Sequence, residues 1–278
     1  MSVEIICEVG VTHDGSLPIA LQMVDTAKKC GANVVKFQTF TAENTLKKDD
    51  PDFKTIKELE LSKGSFKLIA KHCRDVGIEF MSTPDHLDDL KFLVEELGVK
   101  RIKIGSADLT NKPLVEAAFR TGKPVLISTG MSNLKEVKQA LPHDGGFVSV
   151  TLLHCVSLYP TPFEDANLSA IKELSKLGYP VGFSDHTIGS MAASLAVALG
   201  ATVIEKHICP NGYTGIDKNV SMIPFEFGQL VKQIRSVEKA LGSGKKEPIE
   251  AELKFINRLR KGSDGLRGTN QSELFPLY

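Results

Sequence analysis

The sequence predicts a (β/α)₈ TIM barrel forming one main domain, and three observations carry that expectation. Short apolar runs alternate with amphipathic stretches almost from end to end. Glycine recurs between the end of a helical stretch and the start of the next apolar run. Polar or ionisable residues stand at the C-terminal end of every apolar run. With 278 residues, 42% of them hydrophobic, the chain is long enough, since such a barrel needs ~250 residues.

The predicted strands are residues 4–8, 34–38, 79–82, 101–104, 124–128, 147–153, 180–184 and 203–207. Between them, apolar residues recur at helical spacing over 19–30, 66–76, 87–97, 112–121, 134–141, 168–177, 191–199 and 225–241. Gly31, Gly77, Gly98, Gly122, Gly178 and Gly200 follow these helices, where a left-handed cap is wanted. Repetition of helix, glycine and strand implies parallel strands joined by crossovers. Closure removes the two edges that an open sheet would leave bare. A doubly wound open sheet is the alternative, but no GxGxxG follows the first strand. Residues 1–243 are expected to form the barrel, and 244–278 a helical extension and tail. The charged segment 39–62 is long for a strand-to-helix connection. It reads either as a lid or substrate wall, or as a solvated excursion.

Lys+Arg and Asp+Glu both number 34, so the net charge is zero and neither nucleic acid nor an anionic membrane is the expected partner. The five cysteines (Cys7, Cys30, Cys73, Cys155, Cys209) form no CxxC pair and read as reduced thiols of a cytoplasmic protein. The N-terminus is too short and acidic for a signal peptide, and no apolar run approaches the ~20 residues of a membrane span.

The active site of a barrel lies at the C-terminal ends of its strands. There the sequence sets Glu8; Lys36 and Gln38; Ser82 and Thr83; Lys103 and Ser106; Ser128 and Thr129; His154 and Ser157; Ser184, Asp185 and His186; Glu205 and His207. Alternation groups Lys36 with Gln38, Ser184 with His186, and Glu205 with His207 on the inner face. The apolar Val35, Phe37, Val203 and Ile204 are assigned to the layer under the helices. Lys36 and Lys103, with Ser82, Thr83, Ser106, Ser128 and Ser184, would make an anion pocket suited to a phosphate and a carboxylate together. Taken singly, each lysine could equally be a surface or ion-paired side chain. His186 and His207 end consecutive strands ~4.8 Å apart and could share one cation with open coordination positions. Histidines in separate motifs more often serve as hydrogen-bonding groups. His13, His72, His86 and His143 are expected to be ordinary polar or surface residues.

The runs EVGVTHDG, VVKFQTF, FMSTP, KIGSADLTNKPL, GKPVLISTGMS, LLHCVSLYPTPFEDANL, VGFSDHTIGS and GATVIEKH, in that order, resemble the sialic acid synthase family. That family comprises N-acetylneuraminate synthase and its legionaminate and pseudaminate relatives. The resemblance covers residues 4–241 and is specific, because the motifs are long and collinear. It implies a (β/α)₈ enzyme that condenses phosphoenolpyruvate with an N-acylated amino-sugar aldehyde, assisted by Mn²⁺ or else Mg²⁺ or Co²⁺.

Carried over by position, the phosphoenolpyruvate ligands would be Lys36, Thr83, Lys103, Ser106, Ser128, Ser157 and Ser184. The metal ligands would be His186 and His207, which with Glu8 make the catalytic set. The sugar side would hold Gln38, Asp108, Tyr159 and Asp217, with Glu8 also contributing. The chain departs from the family pattern at Thr12, where Asn is usual, and at Ser157, often Asn. After His207 it reads ICPNGYTGIDKNVSM, with Lys218 where the family has a second histidine. The chain is also expected to lack the antifreeze-like domain that follows the barrel in relatives. There the partner subunit's domain reaches into the site, so a homodimer is one expectation whose usual contact would be missing. Two other readings stay open: another phosphoenolpyruvate-using 3-deoxy sugar acid synthase, and a non-catalytic phosphoenolpyruvate- or sugar-binding barrel.

Overall fold

A computed structural model describes residues 2–142 and 148–267. His143 and the first residue of the strand predicted over 147–153 lie outside the described residues, as does most of the tail. The chain divides into two compact units, Met1–Ala240 and Leu241–Tyr278.

The first unit contains eight strands: β1 (Glu4–Gly10), β2 (Val34–Thr39), β3 (Glu79–Pro84), β4 (Ile102–Ile104), β5 (Val125–Ser128), β6 (Val150–Cys155), β7 (Val181–Asp185) and β8 (Val203–His207). All pair in parallel in the order β3-β2-β1-β8-β7-β6-β5-β4. The end strands β3 and β4 also lie side by side, which brings the sheet round into a barrel. Between strands run α1 (Leu17–Cys30), α2 (Lys63–Val76), α3 (Leu87–Lys91), α4 (Lys112–Arg120), α5 (Leu134–Ala140), α6 (Ala170–Ser175), α7 (Met191–Ala198) and α8 (Pro224–Leu241). The stretch predicted as one helix over 87–97 changes at Phe92 to a π-helical turn, Phe92–Glu96.

Local chemistry explains the helix ends. Ser62 caps α2, its side chain accepting a hydrogen bond from the Ser65 amide at 3.0 Å. Asn133 and Glu136 form a reciprocal capping box at α5; a cap of this kind stabilises by about 1 kcal/mol. Gly31 and Gly77 close α1 and α2 at φ of 87° and 71°. The buried face of α1 is Ala20, Met23, Val24 and Ala27, and that of α2 is Phe66, Ile69, Ala70 and Cys73. They pack on the outward strand residues, among them Cys7, Val9, Val35, Phe37, Ile104 and Ile204. Full burial of one such large side chain contributes ~1.5–3 kcal/mol.

The barrel interior is layered. At its N-terminal end Arg101 forks between Glu4 and Glu79, with Nε 2.8 Å from the Glu79 carboxylate. Above lies an apolar layer of Ile6, Val34, Met81, Leu126, Leu153 and Val203. Val203 therefore belongs inside, not under the helices as the sequence suggested; it shares the parity of Glu205 and His207, so the pleat turns it inward. Two residues further along the same six strands come Glu8, Lys36, Thr83, Ser128, Cys155 and Glu205. Gly182 keeps β7 close to its neighbours at this level, because a Cβ there would lie 2.6 Å from both Leu153 Cδ2 and the Val203 carbonyl oxygen.

The long connection after β2 forms two short helices, Ala42–Thr45 and Phe53–Glu58. Phe40, Leu59 and Val11 bury a small apolar cluster beneath it. The second unit contains the short helices Glu250–Leu253 and Ile256–Leu259 and a bridge between Lys261 and Arg267. Among the described residues no helix is long and apolar enough to cross a membrane.

Candidate active site

At the C-terminal mouth of the barrel a cavity of about 410 Å³ opens above the apolar layer. Its wall includes Glu8, Lys36, Gln38, Thr83, Lys103, Ser106, Asp108, Ser128, Ser157, Tyr159, Ser184, His186 and His207. The structure thus brings together nearly all residues singled out in the sequence. Asp217 stands just behind, its Oδ2 3.7 Å from Nδ1 of His207.

The cavity floor is a buried charge cluster. Lys36 Nζ lies 2.8 Å from Glu8 Oε1 and 3.6 Å from Glu205 Oε2, and Thr83 Oγ1 is at 3.3 Å. Lys103 Nζ donates to Ser128 Oγ at 2.7 Å and to the Ile104 carbonyl at 3.1 Å, and stands 3.9 Å from Glu205. Ser184 Oγ donates to Glu205 Oε1 at 2.8 Å. Yet Glu8 Oε2 and Glu205 Oε2, both buried, accept no hydrogen bond from the protein. Buried carboxylate oxygens without donors are costly, so this floor is built to receive something.

Burial and neighbours set the protonation of the cluster. Burial, reinforced by Glu205, lifts Glu8 to about 7 against the pull of Lys36. Burial alone would lower Lys36, but Glu205 and Glu8 outweigh it and hold its ammonium form. Lys103 is lowered, chiefly by burial and also by Lys36. Burial would raise Glu205, but Lys103, Lys36 and the Ser184 hydroxyl keep it low.

His186 and His207 stand on the wall with ring centroids 5.4 Å apart. His186 Nδ1 donates to the Val156 carbonyl at 2.7 Å, which leaves Nε2 as its free nitrogen. His207 is pushed well down by burial and by His186, so it is a neutral imidazole whose buried Nδ1 makes no hydrogen bond. Burial also works against a charged His186, but Cys155 and the Val156 carbonyl outweigh it and raise that ring. Tyr159 covers both rings, stacking on His186 at 4.2 Å and meeting His207 edge-on at 5.8 Å. Two imidazoles, one anchored through its far nitrogen, fit a divalent cation that keeps positions open. Among the described residues no group of three or more His, Cys, Asp and Glu gathers at metal-binding distance.

Four polar residues expected at the site do not line it. Ser82 Oγ pairs with Thr39 Oγ1 at 2.7 Å, Thr129 Oγ1 donates to the Leu153 carbonyl at 3.0 Å, and His154 Nε2 lies 2.9 Å from the Ala166 carbonyl oxygen. Asp185 contacts Lys206, Oδ2 to Nζ 3.1 Å. Each has the outward parity of its strand, so the pleat turns it toward the helices. Among the other histidines, His72 pairs with Asp25 at 2.8 Å and His86 caps α3. His13 is fully buried beside Phe37 and, lowered by burial to about 4, stays neutral.

Three further ionisable residues line the cavity without having been given a role: Glu205, Cys155 and Asp85. Alternation had already turned Glu205 inward, and it could have found the other two, since Met81, Thr83 and Asp85 continue one inward row, as do Leu153, Cys155 and Ser157. Asp85 is lifted to about 7 by burial and by the nearby Asp108. A second hollow of about 470 Å³ on the outer surface, between α4 and α5, lacks any such convergence: its Glu116 pairs with Lys112 and Arg120 on its own helix.

Comparison with known proteins gives a consistent picture. The sequence model of the NeuB family matches residues 23–246. The N,N'-diacetyllegionaminic acid synthase of Legionella pneumophila is 40% identical over 283 residues, covering 94% of this chain and 79% of the relative. The N-acetylneuraminate-9-phosphate synthase of Mus musculus is 34% identical, covering 92% of this chain and 76% of the relative. Among solved structures, an N-acetylneuraminic acid synthetase from Leptospira borgpetersenii, in complex with citrate, superposes with a TM-score of 0.86 at 38% identity, covering 94% of each chain.

Proposed function

The chain belongs to the NeuB family, and from that premise we propose that it condenses phosphoenolpyruvate with an N-acylated amino-sugar aldehyde and water, giving a nonulosonic acid and phosphate. One observation carries the reading: a single cavity sets the lysine-rich floor of Lys36 and Lys103 beside the His186–His207 wall. The floor suits the small dense anion, and the wall suits the carbonyl partner.

Lys36 and Lys103, with Ser128, Ser184 and Thr83, hold the phosphate and carboxylate of phosphoenolpyruvate and fix its C3 toward the mouth. Ser106 and Ser157 add hydroxyl donors to the same anion. Gln38, Asp108, Tyr159 and Asp217 receive the open-chain sugar. A divalent cation held by His186 and His207, with Mn²⁺ preferred over Mg²⁺ or Co²⁺, would polarise the aldehyde oxygen. C3 forms the new carbon–carbon bond to the aldehyde carbon, whose oxygen takes a proton to become a hydroxyl. The hydroxide of water adds at C2, and collapse of that tetrahedral carbon breaks the C–O bond to phosphate and leaves the 2-keto acid. Glu8, held near 7, can both accept and return a proton at neutral pH. The lysines hold opposing charge against the phosphate as it leaves. The five free cysteines suit a reducing, cytoplasmic setting.

The test is purified protein with phosphoenolpyruvate, Mn²⁺ and a panel of N-acyl amino sugars, following phosphate release. Release dependent on one sugar, and lost in His186→Ala, is the expected result. No release with any sugar, or unchanged release in His186→Ala, contradicts the reading.

A further inference from the structure

The relatives differ in one chemical respect visible in their names: the product of the mouse protein carries a phosphate ester, and that of the Legionella protein does not. We propose that the mouth of this cavity admits an uncharged amino sugar and rejects its phosphate ester, with Asp85 as the specificity-determining residue. The inference rests on the synthase reading and adds the class of the second substrate.

The first support is a count of cations. Among the described residues that line the cavity the only lysines or arginines are Lys36 and Lys103. Both lie on the floor, nearly fully buried, and both are already engaged by Glu8, Glu205 and Ser128. One small dianion on that floor takes up both ammonium groups. A second phosphate, carried at the far end of a sugar, would find no counter-ion on the wall.

The second support is what the mouth offers instead. Asp85 and Asp108 both line the cavity above the floor. Asp85 Oδ2 accepts from Thr45 Oγ1, at 3.3 Å, on the long connection after β2. Asp108 Oδ1 accepts from Asn111 Nδ2 at 2.9 Å. Each carboxylate keeps its other oxygen free to accept from a sugar hydroxyl or an amide N–H. Burial and the nearby Asp108 already disfavour charge on Asp85. At a pH above 7, where Asp85 is ionised, a phosphate dianion beside these carboxylates would add like charge where none is compensated, a repulsive element of the kind that separates close analogues. Glu8 Oε2 and Glu205 Oε2 below, buried and without a hydrogen bond, mark the cavity as one built for a ligand.

Two measurements test this together. With phosphoenolpyruvate present, each N-acyl amino sugar of the panel and its terminal phosphate ester are titrated calorimetrically; phosphate release is followed in parallel. A neutral sugar binding about tenfold or more tightly than its ester is expected. Asp85→Asn should narrow that ratio, chiefly by improving the ester's KM, and Asp85→Lys should narrow it further or reverse it. Thermal melts of both variants check folding, and Asp85→Asn, which keeps the shape of the side chain, carries the test where Asp85→Lys does not fold. An ester bound as well as the neutral sugar, a panel with no binding member, or a ratio unmoved by Asp85→Asn overturns the inference. A neutral sugar that binds selectively without phosphate release upholds it and counts against the synthase reading, so the two fail separately.

Discussion

Strands β7 and β8 bury charge on both faces of the barrel wall, and the two faces treat it differently. Under the helices, Lys206 and Asp185 are completely inaccessible and answer each other at 3.1 Å. Asp185 Oδ1 also accepts from the amide and hydroxyl of Thr187, and Lys206 Nζ donates to the Thr187 carbonyl. On the inner face Glu205, Glu8, Lys36 and Lys103 are nearly as buried, yet Glu8 Oε2 has no partner and Glu205 Oε2 has only the Lys36 ammonium, at 3.6 Å. The closed pair brackets His186 from its neighbours Asp185 and Thr187 and ties β7 to the strand that carries His207, so it positions the wall. The open cluster leaves its needs to an incoming molecule. Asp185 Oδ2 makes no hydrogen bond either, but it has the Lys206 ammonium at 3.1 Å, whereas Glu8 Oε2 has neither a hydrogen bond nor an ion pair. Buried charge by itself marks neither role; what distinguishes the two is whether each carboxylate oxygen meets a close counter-charge within the protein.

Breaking the closed pair should have the largest effect. Lys206→Met leaves Asp185 buried beside an apolar chain and is expected to lose ~3–5 kcal/mol of stability in chemical denaturation. Adding Asp185→Asn, which removes the stranded charge, should recover part of that loss. In the open cluster the main cost falls on turnover. Glu8→Gln is expected to lower kcat by about 100-fold or more, while phosphoenolpyruvate binding holds or tightens because a negative charge has left the floor. An equal fall in binding would make Glu8 part of the anion cradle.

The mouth gives a smaller, pH-dependent contrast. Asp85 rises from 3.8 in the unfolded chain to about 7 when folded. Between these values the folded state keeps a proton that the unfolded state has released, so stability falls as pH rises and the deficit is complete above 7. Asp85→Asn should therefore be more stable than the parent at pH 8, by about 1–2 kcal/mol after allowing for solvent screening at the open side. The gain should vanish below pH 4, and melting curves at the two pH values check it. Smallest is a test of strand parity. Ser128→Ala, on the inner face, should weaken phosphoenolpyruvate binding by about fivefold, the worth of one hydrogen bond. Ser82→Ala, on the outer face, should leave that binding unchanged.

The fold was legible because the strands are short apolar runs and six of the helical stretches between them are followed by glycine. Three inner-face pairs, Lys36 with Gln38, Ser184 with His186 and Glu205 with His207, also followed from alternation alone. What the residue types at a strand end did not decide was which of two successive polar residues faces inward. Ser82 beside Thr83, Thr129 beside Ser128 and Asp185 beside Ser184 look alike in composition, and only the pleat separates them. Asp85 escaped notice because it stands past the end of β3, after Pro84, where the inward row continues beyond the apolar run. The closed Lys206–Asp185 pair was equally hidden, because its partners lie 21 residues apart on different strands.

The open floor is the centre of this account, and calorimetric titration of phosphoenolpyruvate into the parent and Lys103→Met tests it most directly. Saturable binding by the parent, weakened about 100-fold in the variant by loss of a charge-assisted contact, is the predicted result. Absence of binding in the parent, or equal binding in the two, would contradict it.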